Sequence, residues 1–316
     1  MAKDNFRDGK APFNLKSRHT PCETYYKIYG DLDCGRPPLI VLHGGPGVGH
    51  AYLEAYSGIA TDCGIPVVFY DQIGCALSTH LPETNGDKAF WQPSLFVEEL
   101  ESLLAHLNIS REDGPGFHVF GHSWGGTLAA TFASRQPPGL RKLIIVSGTS
   151  DGQIFQNHLW QLLKQLPEAH EKAVEDAIRR EDLTDPAYLA AMAAFGKAFL
   201  CRSDPWPPAE LIESRKNQAA DPTVRDTMQG RSPFLYDGSM EHYSTIPLLP
   251  KINVPTLLFN GEFDTAGYPV MVQFFNHIPK VKWMTLDGAS HMSHLDSEAM
   301  RERTLKLVGE FLKDSQ

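Results

Sequence analysis

A serine at position 123 has the surroundings of a catalytic nucleophile. Residues 121–125 read Gly-His-Ser-Trp-Gly and lie between an apolar run, 117–120, and an apolar stretch of helical character, 126–133. On a sharp turn from strand to helix the serine Oγ is exposed, and glycines are needed where a Cβ would clash. The pattern predicts that Ser123 is a nucleophile. The simpler alternative is an ordinary turn in which Ser123 caps the helix.

A glycine-rich loop upstream could stabilise the negative charge that such a reaction creates. A buried-strand run leads into residues 43–47, His-Gly-Gly-Pro-Gly. Acyl transfer builds charge on a carbonyl oxygen, and two fixed backbone N–H groups stabilise it. We expect these donors to be the N–H groups of Gly45 and Trp124, with His43 and Gly44 binding substrate beside them. A phosphate-binding loop is disfavoured, because the Lys-Ser/Thr ending and the G-x-G-x-x-G spacing are both missing.

The partners that a nucleophilic serine needs follow two strand-like runs near the C-terminus. Asp264 comes shortly after the apolar run 254–259, and His291 lies in a loop after the run 281–286. Serine alone is a poor nucleophile, so a histidine must take its proton and a carboxylate must hold the imidazole in the useful tautomer. The chain order Ser123, Asp264, His291 predicts a catalytic triad.

Two nearby residues compete for these roles. His294 lies three residues after His291, and Glu262 lies two residues before Asp264. We expect His294 to begin or flank the final helix, and Asp264 to be closer than Glu262 to the required loop position. No H-E-x-x-H motif or cysteine cluster accompanies His294, so neither a metal site nor a cofactor is expected.

These motifs together resemble a known family. Residues 43–47, 69–75 (FYDQIGC), 121–126 and 261–264 are similar to the proline iminopeptidase family of α/β-hydrolases, and the similarity extends to residues 200–208. The resemblance implies a serine hydrolase that removes N-terminal proline or other residues from small peptides. It also implies the α/β-hydrolase fold, a mostly parallel central sheet flanked by helices with an inserted helical cap.

The pattern of short apolar runs independently predicts a doubly wound, mostly parallel sheet, because strands bounded by Gly and Pro alternate with helical segments. The predicted strands lie near residues 24–29, 39–42, 67–70, 117–120, 143–146, 256–259 and 282–286. The alternation stops after residue 149, where a polar, helical stretch begins. We therefore expect a core from residues 1–149 and 244–316, and a helical cap from residues 150–243 lying over the active site.

The positions that should select the substrate depart from the family pattern. In the aminopeptidases, acids in the cap and beside the triad aspartate hold the free α-ammonium group. Here Thr265 follows Asp264, and residues 229–234 contain an arginine but no acid. An ammonium group in a partly dry pocket costs several kcal/mol when no carboxylate meets it. Three glutamates elsewhere could still supply the acid: Glu54, Glu213 and Glu262.

The cap is rich in aromatic residues, most of which we expect to form its own core. Trp206 and Phe234 are the ones expected to contact an apolar acyl group. The leading hypothesis is a serine hydrolase that cleaves a small amide, peptide or ester through an acyl-enzyme. The alternative is a lactone or ester hydrolase, or an acyl-transferring cyclase, of specialised metabolism. A non-catalytic small-molecule binder is disfavoured by the intact order of triad residues.

Composition and charge disfavour several classes of binding partner. The 316 residues include 29 Lys and Arg against 38 Asp and Glu, a net charge of −9, which disfavours nucleic acid and anionic membranes. No run approaches the ~18 apolar residues of a membrane span, and the N-terminus lacks the apolar core of a signal peptide. The five cysteines lack C-x-x-C spacing and are expected to be free thiols. We expect a cytoplasmic enzyme for a small molecule or short peptide; its oligomeric state is left open.

Overall fold

One eight-stranded sheet runs through the computed structural model, which describes residues 6–15, 20–110 and 113–313. Its strands are β1 (Phe6–Asn14), β2 (Pro21–Tyr29), β3 (Leu39–Leu42), β4 (Val67–Tyr70), β5 (Phe117–His122), β6 (Leu140–Val146), β7 (Thr256–Phe263) and β8 (Val281–Ser290). The spatial order is β1-β2-β4-β3-β5-β6-β7-β8. Strands β1 and β2 are antiparallel to their neighbours, and the remaining six are parallel. The mostly parallel sheet predicted from the sequence is confirmed.

The central strands are buried along their whole length and mostly apolar, because helices cover both faces of the sheet. Every residue of β3, β4 and β5 is buried. Strand β1 is absent from the sequence prediction, which places the first strand near residues 24–29; residues 1–5 lie outside the described residues. It is an edge strand, paired with β2 from Phe6 opposite Tyr29 onward, and most of its residues are exposed. Edge strands tolerate charge and proline, so β1 lacks an apolar signature.

The helices divide into those that flank the sheet and a group between β6 and β7. They are α1 (Gly58–Cys63), α2 (Pro93–His106), α3 (Trp124–Ala133), α4 (Gly152–Leu163), α5 (Glu168–Arg179), α6 (Pro186–Phe195), α7 (Ala209–Ala220), α8 (Thr223–Met228), α9 (Tyr268–His277), α10 (Ser293–Asp296) and α11 (Glu298–Lys313). Helices α4 to α8 follow β6 and precede β7. We call residues 150–243 the cap segment. Within the described residues, no helix is long and apolar enough to cross a membrane.

The two ends of the cap segment meet at its base. Asp151 and Ser244 form an isolated antiparallel bridge, and the N–H of Thr245 donates to the carbonyl of Ser150 at 2.8 Å. The chain therefore leaves and re-enters the sheet region at nearly the same place. This geometry supports the division into core and cap at residues 150–243, which stays a prediction.

A polar side chain directly follows each of the six parallel strands. These residues are His43 after β3, Asp71 after β4, Ser123 after β5, Ser147 after β6, Asp264 after β7 and His291 after β8. Because parallel strands end at the same edge of a sheet, all six residues lie along that edge. Ligand sites of open α/β sheets form there.

Candidate active site

Ser123 lies on a strained turn between β5 and α3. Its backbone has φ 57° and ψ −123°, and its side chain makes no capping hydrogen bond to α3. A Cβ on Gly121 would lie 2.1 Å from the carbonyl oxygen of Gly125, and one on Gly125 would lie 2.2 Å from that of Leu42. Only glycine fits at these two positions. The turn thus holds a half-buried serine in a conformation that helix capping does not explain.

The structure brings Asp264 and His291 into direct contact. His291 Nδ1 lies 2.7 Å from Asp264 Oδ1, and both residues are buried. Asp264 also accepts hydrogen bonds from the Ser147 hydroxyl at 2.6 Å and from the N–H groups of Gly261 and Ala266. Burial alone would raise the pKa of Asp264, but His291 and these donors outweigh burial and hold that pKa below its ordinary value. Asp264 is therefore an anion fixed on one edge of His291.

Ser147 is a site residue that the sequence interpretation missed. It is fully buried, at the end of β6, and its hydroxyl also lies 3.3 Å from the carbonyl oxygen of His291. Strand β6 lies between β5 and β7 in the sheet, so Ser147 lies between the loops of Ser123 and Asp264. A polar residue directly after a buried parallel strand was the signal that could have found it.

His122 connects the serine turn to the histidine loop. Its ring lies 4.8 Å from the ring of His291, between centroids, and its Nε2–H donates to the His291 carbonyl at 3.0 Å. Its Nδ1 accepts from the Tyr52 hydroxyl at 2.7 Å, and that hydroxyl accepts from the Gly44 N–H at 2.8 Å. Burial lowers the pKa of His122 well below its ordinary value, so the ring is neutral. Ser123 directly follows this ring.

His294 is held away from Asp264 by a different partner. Its Nε2 lies 2.9 Å from the carbonyl oxygen of Tyr52, so Nε2–H is the donor. Burial lowers the pKa of His294 to about 4, which keeps the ring neutral. The residue lies in α10, close to the position that the sequence predicted for it. Across the described ranges, no group of three or more His, Cys, Asp or Glu side chains is placed to hold a metal ion.

The loop of residues 43–47 lies against the serine. A Cβ on Gly44 would lie 2.9 Å from Ser123 Cβ. His43 Nε2 accepts from the Gln72 N–H at 3.0 Å, so its Nδ1–H donates to the Gly44 carbonyl at 2.8 Å. Burial lowers the pKa of His43 to about 4. Both ring nitrogens of His43 are therefore occupied by the protein itself.

Gln72 connects the glycine-rich loop to the serine turn. Its Nε2 donates to the His43 carbonyl at 3.0 Å, and its Oε1 accepts from Trp124 Nε1 at 2.8 Å. The preceding Asp71 accepts from the N–H and the Nδ1 of His50 at 2.8 and 2.7 Å. Gln72 thus connects the two loops that are expected to stabilise a developing oxyanion, and Asp71 fixes His50, three residues after the glycine-rich loop.

The three glutamates considered as ammonium partners have other surroundings. Glu54 pairs with Lys27, and this contact outweighs the effect of burial, so the pKa of Glu54 is lowered. Glu262 is exposed and accepts from the Gly288 N–H at 2.9 Å. Glu213 is exposed on α7. Binding of a substrate ammonium group by any of them stays a prediction.

The two aromatic residues expected to contact substrate differ in burial. Phe234 is 2% exposed and packs against Phe195 and Trp160, with ring centroids 5.2 and 5.1 Å apart. Trp206 is half-buried, and the Arg215 guanidinium lies 5.3 Å from its ring centroid. Phe234 therefore belongs to the interior of the cap segment. Contact of either residue with substrate stays a prediction.

Comparison with known proteins defines the class. Residues 37–298 match the family model of the alpha/beta hydrolase fold. The structure of VinJ superposes with a TM-score of 0.89 at 34% identity, covering 97% of this chain and 98% of that one. The Mycobacterium smegmatis proline iminopeptidase superposes with a TM-score of 0.86 at 35% identity, covering 97% of each chain. The protein is therefore an α/β-hydrolase.

Curated relatives show to which family of α/β-hydrolases the chain belongs. The proline iminopeptidase of Lactobacillus helveticus strain DPC 4571 is 31% identical over 291 residues, which is 92% of this chain and 92% of the relative. That of Lactiplantibacillus plantarum is 29% identical over 279 residues, 87% of this chain and 92% of the relative. This chain belongs to the proline iminopeptidase-like family of α/β-hydrolases.

Proposed function

We propose that the protein is a serine hydrolase in which Ser123, His291 and Asp264 form the catalytic triad. The hydrogen bond of 2.7 Å between His291 and Asp264, beside the strained turn of Ser123, is the observation that carries this proposal. The ordered Asp264 carboxylate leaves Nδ1 of His291 as the protonated nitrogen and Nε2 as the basic one.

The reaction would proceed through an acyl-enzyme. Ser123 Oγ attacks the substrate carbonyl carbon while His291 Nε2 takes the hydroxyl proton. The tetrahedral intermediate collapses to an acyl-serine as that proton passes to the leaving amine or alcohol. Water then attacks the acyl-serine and gives a proton to His291 Nε2. As the second tetrahedral intermediate collapses to the free acid, that proton passes to Ser123 Oγ. Asp264 stabilises the imidazolium formed in each half-reaction.

The oxyanion would be bound by the N–H groups of Gly45 and Trp124. The Gly44 N–H already donates to Tyr52, so it is not the donor. The trans peptide between Gly44 and Gly45 has its carbonyl held by His43 Nδ1–H, which directs the Gly45 N–H to the opposite side. We therefore assign His43 a positioning role rather than direct contact with substrate.

A free α-amine on the substrate would gain little binding free energy at this site. Glu54 is paired with Lys27, while Glu213 and Glu262 are exposed to water. This observation favours a second candidate within the same chemistry, a hydrolase of esters or lactones. Proline iminopeptidases release N-terminal proline and must bind its amine. We expect a preference for free over N-acylated amines of less than about tenfold, equivalent to ~1.4 kcal/mol.

The nucleophile is tested by labelling. A fluorophosphonate probe is expected to label the wild-type protein and not Ser123→Ala, and kcat of the variant should fall by ~10³-fold or more. Circular dichroism of the variant serves as the control for folding. Labelling that persists in Ser123→Ala would refute the assignment of the nucleophile.

The substrate class is tested by paired substrates. Prolyl and alanyl aryl amides and aryl esters, each with a free or an acylated amine, are compared by kcat/KM in the wild-type protein. Comparable turnover of free and acylated members supports the ester and lactone candidate. Turnover confined to free-amine members establishes an aminopeptidase and refutes our view of the three glutamates.

A further inference from the structure

The cap segment donates hydrogen bonds to the glycine-rich loop beside Ser123. Two side-chain amides of the cap segment reach backbone carbonyls of this loop, Gln229 Nε2 to Gly45 at 2.9 Å and Gln218 Nε2 to Pro46 at 3.2 Å. A third, Asn217 Nδ2, reaches the carbonyl of Val48 directly after the loop at 3.4 Å. All three side chains are half-buried. The Gly45 and Pro46 carbonyls therefore have partners more than 170 residues away in the chain, whereas the His43 and Gly44 carbonyls are bonded by Gln72 and by the His43 ring.

Helix α8 packs directly on the glycines of two loops. A Cβ on Gly47 would lie 3.5 Å from Val224 Cβ, and one on Gly74 would lie 2.4 Å from Val224 Cγ2. Both glycines have positive φ, 88° and 85°. The absence of side chains at Gly47 and Gly74 leaves the space that α8 occupies. Residue Gln229 directly follows this helix.

The start of α8 is also bonded to the core. The Thr223 N–H donates to Asp221 Oδ1 at 3.0 Å, and Asp221 Oδ2 lies 2.6 Å from His80 Nδ1. His80 Nε2 in turn lies 3.0 Å from the Ala76 carbonyl oxygen. His80 and Ala76 belong to the loop that follows β4. Contacts at both ends of α8 thus hold the helix over the glycine-rich loop.

The peptides before and after Gly45 both need hydrogen bonds that hold them in place. Its φ of 109° is a conformation that glycine alone adopts readily, and glycine loses the most backbone entropy when it is ordered. His43 holds the peptide before Gly45 through the Gly44 carbonyl, and Gln229 holds the peptide after it through the Gly45 carbonyl. An oxyanion donor stabilises a transition state only when it is already in place.

We propose that Gln229 is a positioning residue of the oxyanion hole, and that catalysis requires the stretch 217–229 of the cap segment to be docked on the glycine-rich loop. This inference rests on the proposed serine hydrolase mechanism with Gly45 as an oxyanion donor. In this proposal the cap segment has a catalytic role, because its docking completes the geometry of the oxyanion hole.

Gln229→Leu tests this role. The variant removes the hydrogen bond to the Gly45 carbonyl and the one to the buried Tyr236 hydroxyl within the cap segment, and it keeps a side chain of similar size. We expect kcat to fall about 5- to 10-fold while KM changes less than about twofold. Affinity for an arylboronic acid, which forms a tetrahedral adduct with Ser123, should fall by the same factor as kcat/KM. Gln229→Glu places a carboxylate oxygen against the Gly45 carbonyl, and its loss should be larger.

The matched control is Gln156→Leu. Gln156 Nε2 donates to the carbonyls of Phe234 and Leu235, so its bonds lie wholly within the cap segment. This variant is expected to keep kcat and boronate affinity within about twofold of wild type, even if its thermal stability falls.

Two outcomes overturn the inference. One is a Gln229→Leu variant with wild-type kcat and boronate affinity; the other is an equal loss in Gln156→Leu, which would reduce the effect to general weakening of the cap segment. Failure of the proposed function is distinct: the wild-type protein would then resist the fluorophosphonate, or Ser123→Ala would stay active.

Discussion

Glu99 offers a test of the core beneath the active-site loops. This residue of α2 is fully buried, and its Oε1 accepts from the Thr24 hydroxyl at 2.6 Å and from the Ile73 N–H at 2.8 Å. Within the described residues its Oε2 has no partner. Burial raises the pKa of Glu99 to about 8, despite the opposing effect of the two donors. Glu99 is therefore a neutral carboxylic acid below that pH.

The sign of the pH effect on stability follows from proton binding. Above its ordinary pKa of 4.5, Glu99 has lost its proton in the unfolded chain, whereas the folded chain keeps it until about pH 8. The unfolded state thus binds fewer protons in this interval, and the free energy of unfolding falls as pH rises from 4.5 to 8. The stabilisation lost across the interval is up to about 5 kcal/mol.

Glu99→Gln removes the titration and keeps the shape of the side chain. Its amide oxygen can accept from Thr24 and Ile73 as before. Urea unfolding at pH 5, 7 and 9, followed by tryptophan fluorescence, measures the free energy of unfolding of wild type and variant. We expect the variant to gain stability relative to wild type by several kcal/mol between pH 5 and pH 9.

The matched control is Glu101→Gln on the same helix. Glu101 is exposed and pairs with Arg135 at 3.3 Å, so its removal should change stability by less than about 1 kcal/mol at every pH. Parallel curves of stability against pH for wild type and Glu99→Gln would refute the reasoning, because they would mean that Glu99 titrates alike in the folded and unfolded chains.

Three further predictions concern the site. Ser147→Ala removes a hydrogen bond to an anion and is expected to destabilise the protein by ~1.5–3 kcal/mol at pH 7, as measured by urea unfolding. The Ser147 hydroxyl stabilises the Asp264 anion, whose pKa lies below its ordinary value of 3.8, so loss of this donor raises that pKa. The destabilisation should therefore shrink only as the pH falls below 3.8, whereas Ser150→Ala should show no such pH dependence. His291→Ala should lose ~10³-fold or more of kcat, and His294→Ala should keep most of it; kinetics with the reverse ranking would exchange their roles. Thr265→Glu is expected to improve kcat/KM about tenfold for free prolyl amides relative to N-acylated ones, with Thr265→Gln as the uncharged control.

Much of the fold and of the candidate triad could be predicted from the sequence, because local steric and chemical requirements restrict which residues can occupy these positions. The elbow needs glycine at positions 121 and 125 because backbone lies within 2.2 Å of where each Cβ would be. Such a requirement appears directly in a short motif. Seven of the eight strands were predicted close to their observed positions, and the clearest were β3 and β4, which are buried and apolar throughout. Strand β1 was the exception, because an edge strand needs no apolar face.

Contacts between distant segments were decided only by the tertiary structure. Tyr52 meets His122 across 70 residues of sequence, and Gln229 meets Gly45 across 184. From the sequence, Glu54 was a candidate partner for a substrate ammonium group. In the structure Lys27 of β2 pairs with it instead. Neither periodicity nor motif spacing encodes which polar groups a strand order or a docked helix will bring within 3 Å. The chemistry that Ser123 can perform therefore follows from short motifs. The carbonyls, rings and amides that hold it in place follow from how the sheet and the cap segment pack.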